Sequence, residues 1–225
     1  MNRKFIILFA FLLLVAVVFS QAKVDTVNNY DNNGKKNGYW EKTDRGGVLV
    51  YKGTFNHGAP VGKFYYFYPD QKVRAIMDHY QIGGRDSAYV TTYYHDGEVM
   101  AVGVYMDKRK EGKWQYFNKD KDLLMTENYH NGRKEGMAYT YQKDGTYAEV
   151  QYWKFGYEDS TWTSYNENGN IVMERNYVRG KLDGKIVTYY DSGVKKMEGF
   201  YKRDERTGKF IYYDEDGNVI EEKKY

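Results

Sequence analysis

The sequence predicts an all-β protein: an elongated antiparallel β-meander of about eight β-hairpin repeats, each about 24 residues long, behind an N-terminal signal peptide. Three observations carry this. A Gly-x-aromatic motif recurs at steps of 24 or 25 residues, turn dipeptides recur between its copies, and an aromatic residue closes each second strand. Composition agrees. The chain has 225 residues with 26 Tyr and only 2 Pro, which favours strands over proline-rich linkers. Its 18% aromatic content excludes a disordered chain, and its 29% charged content excludes a polytopic membrane protein.

The first element is residues 1–22. Arg3 and Lys4 precede an uninterrupted apolar run from Phe5 to Phe19, and Ser20 and Ala22 place small side chains where a signal peptidase cuts. An uncleaved anchor helix is the alternative for the same residues. The run is shorter than the ~20 residues that span a bilayer comfortably. Cleavage leaves Lys23 to Tyr225 outside the cytoplasm, in the periplasm, in the cell envelope or secreted. The chain has no Cys, so a lipid-anchored route, a disulfide framework, a thiolate zinc site and a cysteine nucleophile are all excluded. A secreted chain without Cys suits a bacterial envelope better than an animal extracellular space.

Residues 23–37 form a lead-in, and residues 38–225 the repeat array. Its first anchor opens a strand: Gly38-Tyr39-Trp40, Gly62-Lys63-Phe64, Gly112-Lys113-Trp114 and Gly208-Lys209-Phe210, with Ser160-Thr161-Trp162 and Ser87-Ala88-Tyr89 as weaker copies. The second anchor is a turn, with glycines at Gly97, Gly145, Gly169, Gly193 and Gly217. Asp-Gly and Asn-Gly suit tight hairpins, where both central residues reach positive φ. Asp70-Gln71 and Asp120-Lys121 lack the glycine, so looser turns are expected there. The third anchor is the closing aromatic: Tyr80, Tyr105, Tyr129, Trp153, Tyr177, Tyr201 and Tyr225, usually followed by a looser, glycine-containing turn. Eight such units give about 16 strands and, at ~4.8 Å each, a sheet roughly 75 Å wide. Such a sheet is expected to twist.

One feature stays open. A second ring follows three residues after the first, as in Trp114 and Phe117 or Phe210 and Tyr213, and residues three apart on a regular strand face opposite sides. Either the Gly-rich opening carries a bulge, or both faces bear rings.

The repeated pattern Gly-Lys-Trp-x-x-aromatic, Asp-Gly, Tyr-x-Asn-Gly resembles the variant MORN repeat family. The clearest copies are residues 112–117 and 129–136. The resemblance implies a β-meander used for association with proteins or membrane surfaces, without catalytic residues. Bacterial members are often labelled antitoxins of toxin–antitoxin systems.

The residues themselves offer little chemistry. His57, His79, His95 and His130 fall in or near turns without metal-ligand spacing. Glu98, Glu127, Glu149 and Glu174 fall at matching or nearby places in successive second strands, which suits cross-strand ion pairs better than a paired-carboxylate hydrolase. Gly46-Gly47 and Gly83-Gly84 lack the helix a phosphate loop needs. No catalytic, cofactor-binding or metal residue is therefore expected. Outside residues 1–22 the chain holds 32 basic and 31 acidic residues, too even a balance for a nucleic-acid partner or for attraction to anionic lipid. The ring rows are expected to be core. For Tyr66, Tyr94, Tyr190 and Tyr212 burial and exposure are both open, and an exposed row suits contact with a peptide or glycan. The expected function is a non-catalytic exported surface for binding or scaffolding another protein. The alternatives are an antitoxin-like neutraliser and a peptidoglycan-binding module.

Overall fold

The computed structural model describes residues 27–225. The expected signal segment, with Ser20 and Ala22, lies outside the described residues. Among those described, all regular structure is β. The strands run β1 (Gly38–Thr43), β2 (Leu49–Asn56), β3 (Ala59–Phe67), β4 (Val73–Ile82), β5 (Arg85–Tyr93), β6 (Val99–Met106), β7 (Arg109–Phe117), β8 (Leu123–His130) and β9 (Arg133–Lys134). They continue as β10 (Gly136–Tyr141), β11 (Tyr147–Lys154), β12 (Tyr157–Tyr165), β13 (Ile171–Val178), β14 (Lys181–Tyr189), β15 (Lys195–Lys202), β16 (Glu205–Tyr213) and β17 (Val219–Lys224). Each strand pairs antiparallel with its sequence neighbours in one open meander. β9 and β10 are one strand interrupted at Glu135, whose N–H still donates to the Asn128 carbonyl at 2.9 Å. That interruption is the one strand beyond the expected sixteen.

The two kinds of turn are the reverse of the expectation. After the closing aromatic the strands join through two residues that both have positive φ: His57 (47°) and Gly58 (88°), Asn131 (51°) and Gly132 (81°), Phe155 (53°) and Gly156 (86°). These are the tight, type I′ connections, whose twist matches that of the strands. At the Asp-Gly slots only the glycine is left-handed. Gly97 N–H donates to the Tyr94 carbonyl at 3.0 Å, and Gly145 to that of Gln142 at 3.0 Å. The connection is a type I turn followed by one αL residue, and a register shift marks the bulge beside it. The turns without glycine are not looser. Gln71 and Lys121 adopt φ of 69° and 71° and make the same bonds, to Tyr68 and Asn118 carbonyls, at 2.9 and 3.1 Å.

The question about paired rings has a double answer. The strand openings do carry bulges: Thr54 faces Val61 and Lys52 faces Tyr65, so Gly62, Lys63 and Phe64 together oppose Gly53. Rings also lie on both faces. Phe64, Trp114 and Phe210 point to one side, with Tyr66, Tyr116 and Tyr212 two residues on. Phe67, Phe117 and Tyr213 point to the other. The ring face holds the core, where Trp40, Phe64, Trp114 and Phe210 are buried. Full burial of one such ring stabilises by about 1.5–3 kcal/mol.

Residues 85–93 break the frame. β4 and β5 pair without any register shift, because this opening has no bulge. The buried residue opposite Gly103 is therefore Val90 rather than Tyr89, which is 49% exposed on the other face. β4 is displaced likewise. His79 occupies the closing-ring position, 5.1 Å from the Phe64 ring, and Tyr80 is exposed. These two positions correct the expected ring rows.

Candidate functional site

The arrangement with functional reach is the row of rings on one face, where glycine floors, cations and flanking rings recur. Phe64, Trp114 and Phe210 lie flat over Gly53, Gly103 and Gly199 of the preceding strand. A Cβ on Gly53 or Gly199 would sit 2.5 Å from ring atoms. The glycine two residues before a closing aromatic is thus a docking floor, a signal present in Gly53-Thr54-Phe55 and Gly103-Val104-Tyr105 but not read from them. Tyr105 and Tyr129 flank Trp114 at 5.1 and 6.5 Å, and Tyr201 and Tyr225 flank Phe210 at 5.7 and 5.1 Å. The closing aromatics Trp153 and Tyr177 are half-buried on the same face.

A cation covers most of these rings. Lys36 lies 4.4 Å from the Trp40 centroid, Lys110 4.4 Å from Trp114, Lys134 4.2 Å from Trp153 and Arg206 5.2 Å from Phe210. All four precede an opening glycine by two residues, as in Lys110-Glu111-Gly112, so the slot was legible as Lys/Arg-x-Gly. Each contact contributes roughly 0.5–2 kcal/mol, more where water is excluded.

The most enclosed network surrounds Glu127, which is buried between Lys134 and the Tyr129 hydroxyl, the latter donating at 2.6 Å. Lys110 donates to the Tyr116 hydroxyl at 2.7 Å. Burial opposes ionisation of Glu127, but the bonds from Lys134 and Tyr129 outweigh it and hold the carboxyl below its usual range. Burial, reinforced by Glu127, pushes Tyr129 up to about 12. Burial, with Tyr129 and Glu127, pushes Tyr116 up as well. Burial lowers Lys110, against the pull of Glu127. The carboxylate and the two phenols are thereby moved away from neutrality. The bonds joining Lys134, Glu127, Tyr129, Tyr116 and Lys110 fix the rings that surround Trp114.

The remaining acids do not repeat one position. In the pairing register Glu127 faces Trp114, Glu149 faces Ser164 and Thr140, and Glu174 faces Thr163. Glu98 follows a turn and meets Lys121 at 3.3 Å. Glu174 accepts from Tyr189 at 2.7 Å, and Glu149 lies 3.8 Å from Arg175. The histidines His57, His95 and His130 pair with carboxylates, Asp31 at 2.7 Å, Asp70 at 2.9 Å and Glu111 at 2.9 Å. His79 is different. Its ring is largely enclosed, neither nitrogen has a hydrogen-bond partner, and Asp86 is 3.6 Å away. Among the described residues no cluster of His and acids could hold a metal ion.

The tyrosines left open divide. Tyr94 and Tyr190 donate to the Phe117 and Tyr213 carbonyls of the next unit at 2.8 Å, which clips successive hairpins together. Tyr66 and Tyr212 are half-buried on the ring face. At the opposite end, Gly132, Gly156 and Gly180 donate N–H bonds of 2.8–2.9 Å to Lys110, Lys134 and Glu158 of the unit before. The turn glycines Gly97, Gly145, Gly169, Gly193 and Gly217 lie along the first of these ends.

Comparison with known proteins gives one family. Residues 158–179, 182–203 and 206–225 match the family described as MORN repeat variant. No curated protein matches the chain. Two solved structures share low similarity. One is a GtfA/B complex bound to UDP and GlcNAc, at 15% identity over 62% of this chain and 27% of that one, with a TM-score of 0.21. The other is a Bacteroides fragilis NCTC 9343 protein, at 13% identity over 65% of this chain and 94% of that one, with a TM-score of 0.17. The chain thus spans about a quarter of the first, and scores this low carry no structural argument. The three matched stretches span β12–β13, β14–β15 and β16–β17, so the match falls on three consecutive hairpins of this meander.

Proposed function

We propose that this chain is a non-catalytic, exported repeat protein that presents the ring face of its sheet to a partner protein in the bacterial envelope. The observation that carries the reading is the ring face itself: rings covered by cations recur along it at Trp40, Trp114, Trp153 and Phe210, with the central ionisable groups tied to one another. Aromatic and cationic side chains held rigidly are the residues that anchor protein interfaces. Neutralising a toxic partner, as the family resemblance implies, would be one form of the same contact. A glycan is a poorer fit, because the hydroxyls of Tyr94, Tyr190 and Tyr213 already donate within the chain.

The test is cross-linking of the full chain in an envelope fraction, beside a variant with Tyr66, Tyr116 and Tyr212 changed to Ser and one with the opposite-face Phe67 and Phe117 changed to Ser. Loss of a cross-linked partner with the first variant alone supports the reading. Equal cross-linking by all three, or turnover of an envelope substrate, contradicts it. Export is tested by an alkaline phosphatase fusion, which is active only outside the cytoplasm.

A further inference from the structure

The ring row lapses at Val90, Ala138 and Ile186, and the lapse at Val90 lies between two full ring pairs. Where neighbouring units place Phe64 and Tyr66, or Trp114 and Tyr116, the unit between them places Val90 and Thr92. Their cross-strand neighbours are small as well, with Ala75 opposite Thr92 on one side and Ala101 on the other. The missing rings leave a cleft of about 380 Å³, floored by Ala75, Val90 and Thr92 and walled by Tyr66 and Tyr105. That volume is near the lower bound of small-ligand sites and accommodates one aromatic side chain with its neighbours.

Polarity narrows the occupant. The Thr92 hydroxyl donates to the Ala101 carbonyl, and the Tyr68 hydroxyl to that of Tyr93. The one charged group at the cleft is Arg74, whose guanidinium makes no hydrogen bond or ion pair among the described residues and acts electrostatically on Tyr66. It stands at the bulge beside the turn, between the two residues that pair with Phe67 and Tyr66. The corresponding bulge residues in neighbouring units are the apolar Val50, Met100 and Leu124. A sugar carries many hydroxyls, and most would go unmatched here at a cost of about 1–3 kcal/mol each. A flat apolar ring with one adjacent carboxylate leaves nothing unmatched: the ring packs between Tyr66 and Tyr105, and the carboxylate pairs with Arg74.

We infer that this cleft is a docking site for a partner segment in which an aromatic residue stands next to Asp or Glu. The inference rests on the proposed binding role and assigns it a place and a partner chemistry. Arg74 supplies the charge preference, and the absent rings of Val90 and Thr92 supply the room.

The probes are two short acetylated peptides, Glu-Trp-Glu and Lys-Trp-Lys, with chitohexaose as the glycan arm. The readout is the methyl resonances of Met77 and Met100 in the full chain labelled with ¹³C-methyl methionine. Glu-Trp-Glu is expected to shift both methyls and to bind about tenfold more tightly than Lys-Trp-Lys. Arg74→Gln should erase that preference. Thr92→Tyr, which restores the ring carried by the flanking units, should abolish binding while circular dichroism and melting stay near wild type. Arg74→Gln alone is sufficient if Thr92→Tyr disturbs the fold. Equal binding of the two peptides, no binding of either, or a preference for chitohexaose overturns the inference. If envelope cross-linking persists in Thr92→Tyr while Glu-Trp-Glu fails to bind wild type, the cleft falls and the ring-face reading stands.

Discussion

Trp114 and Trp162 hold the same register in their hairpins, and their surroundings differ. Trp114 lies on Gly103, between Tyr105 and Tyr129, under Lys110, and its indole N–H donates to the Val104 carbonyl at 3.2 Å. Trp162 faces the position of Gln151 in the strand before, has Tyr177 tilted at 5.5 Å, and is covered by Arg175 of the following strand at 4.5 Å. Its indole N–H is buried without a partner, as is Arg175 Nε. The slot filled by Lys110 holds Glu158 in this unit, and the opening Gly112 is replaced by Ser160. Yet Ser160 adopts φ of 61°, close to the 64° of Gly112. The local backbone is imposed by the pairing of neighbouring hairpins, and the consensus residues lower its cost. In a solenoid-like array each unit is stabilised by its neighbours, so a poor copy survives beside good ones.

The largest effect should separate the two tryptophans. Trp114→Ala is expected to destabilise by about 3–5 kcal/mol, the usual cost of emptying an aromatic core site. Trp162→Ala should cost roughly 2 kcal/mol or less, because the side chain is only partly buried and its removal relieves an unpaired donor. Urea denaturation midpoints of the two variants measure the difference, and equal losses would break the comparison.

The floor comes next. Gly103→Ala would drive a Cβ into the Trp114 ring, and overpacking of that kind costs about 1–3 kcal/mol. The matching substitution before Trp162, Gln151→Ala, meets no such ring-against-backbone contact and should cost less in the same denaturation experiment.

The ring row and the 24-residue step were legible because burial forces the same residue type into the same register. The turns were legible as turns but not by kind. Phe155-Gly156 and Arg179-Gly180 do not advertise that both residues take positive φ, and Asp-Gly suggested the tighter loop where a three-residue loop forms. Residues 85–93 were misread by one position. The missing bulge there moves the buried side chain to Val90, 26 residues after Phe64, and only a step of 25 in place of 24 hinted at it. The cations Lys36, Lys110, Lys134 and Arg206 escaped notice because charge in a repeat reads first as solvated surface.

A smaller effect is expected from pH on the opposite face. Glu198 is held at about 2, chiefly by the bond from Lys185, then by that from Tyr213. A carboxyl depressed in the folded state contributes stability that is present above its unfolded pKa, near 4.5, and lost as the pH falls toward 2. Glu198→Gln should therefore flatten the acid limb of the melting-temperature profile between those values.

The smallest effect tests the imposed backbone. Ser160→Gly removes an αL penalty of about 1–2 kcal/mol but raises chain entropy in the unfolded state by about 0.4–1 kcal/mol, so a net gain between zero and about 1.6 kcal/mol is expected. A loss on this change would mean that Ser160 is held by contacts of its own.

The central claim is that hairpins docked on one another make one continuous sheet, and residue-resolved hydrogen exchange tests it most directly. Strong protection of the cross-unit N–H groups of Gly132, Gly156 and Gly180, with slow exchange across β7 and β8 and the fastest strand exchange in β17, is the predicted result. Unprotected glycines at those positions, within hairpins that exchange independently of one another, would contradict it.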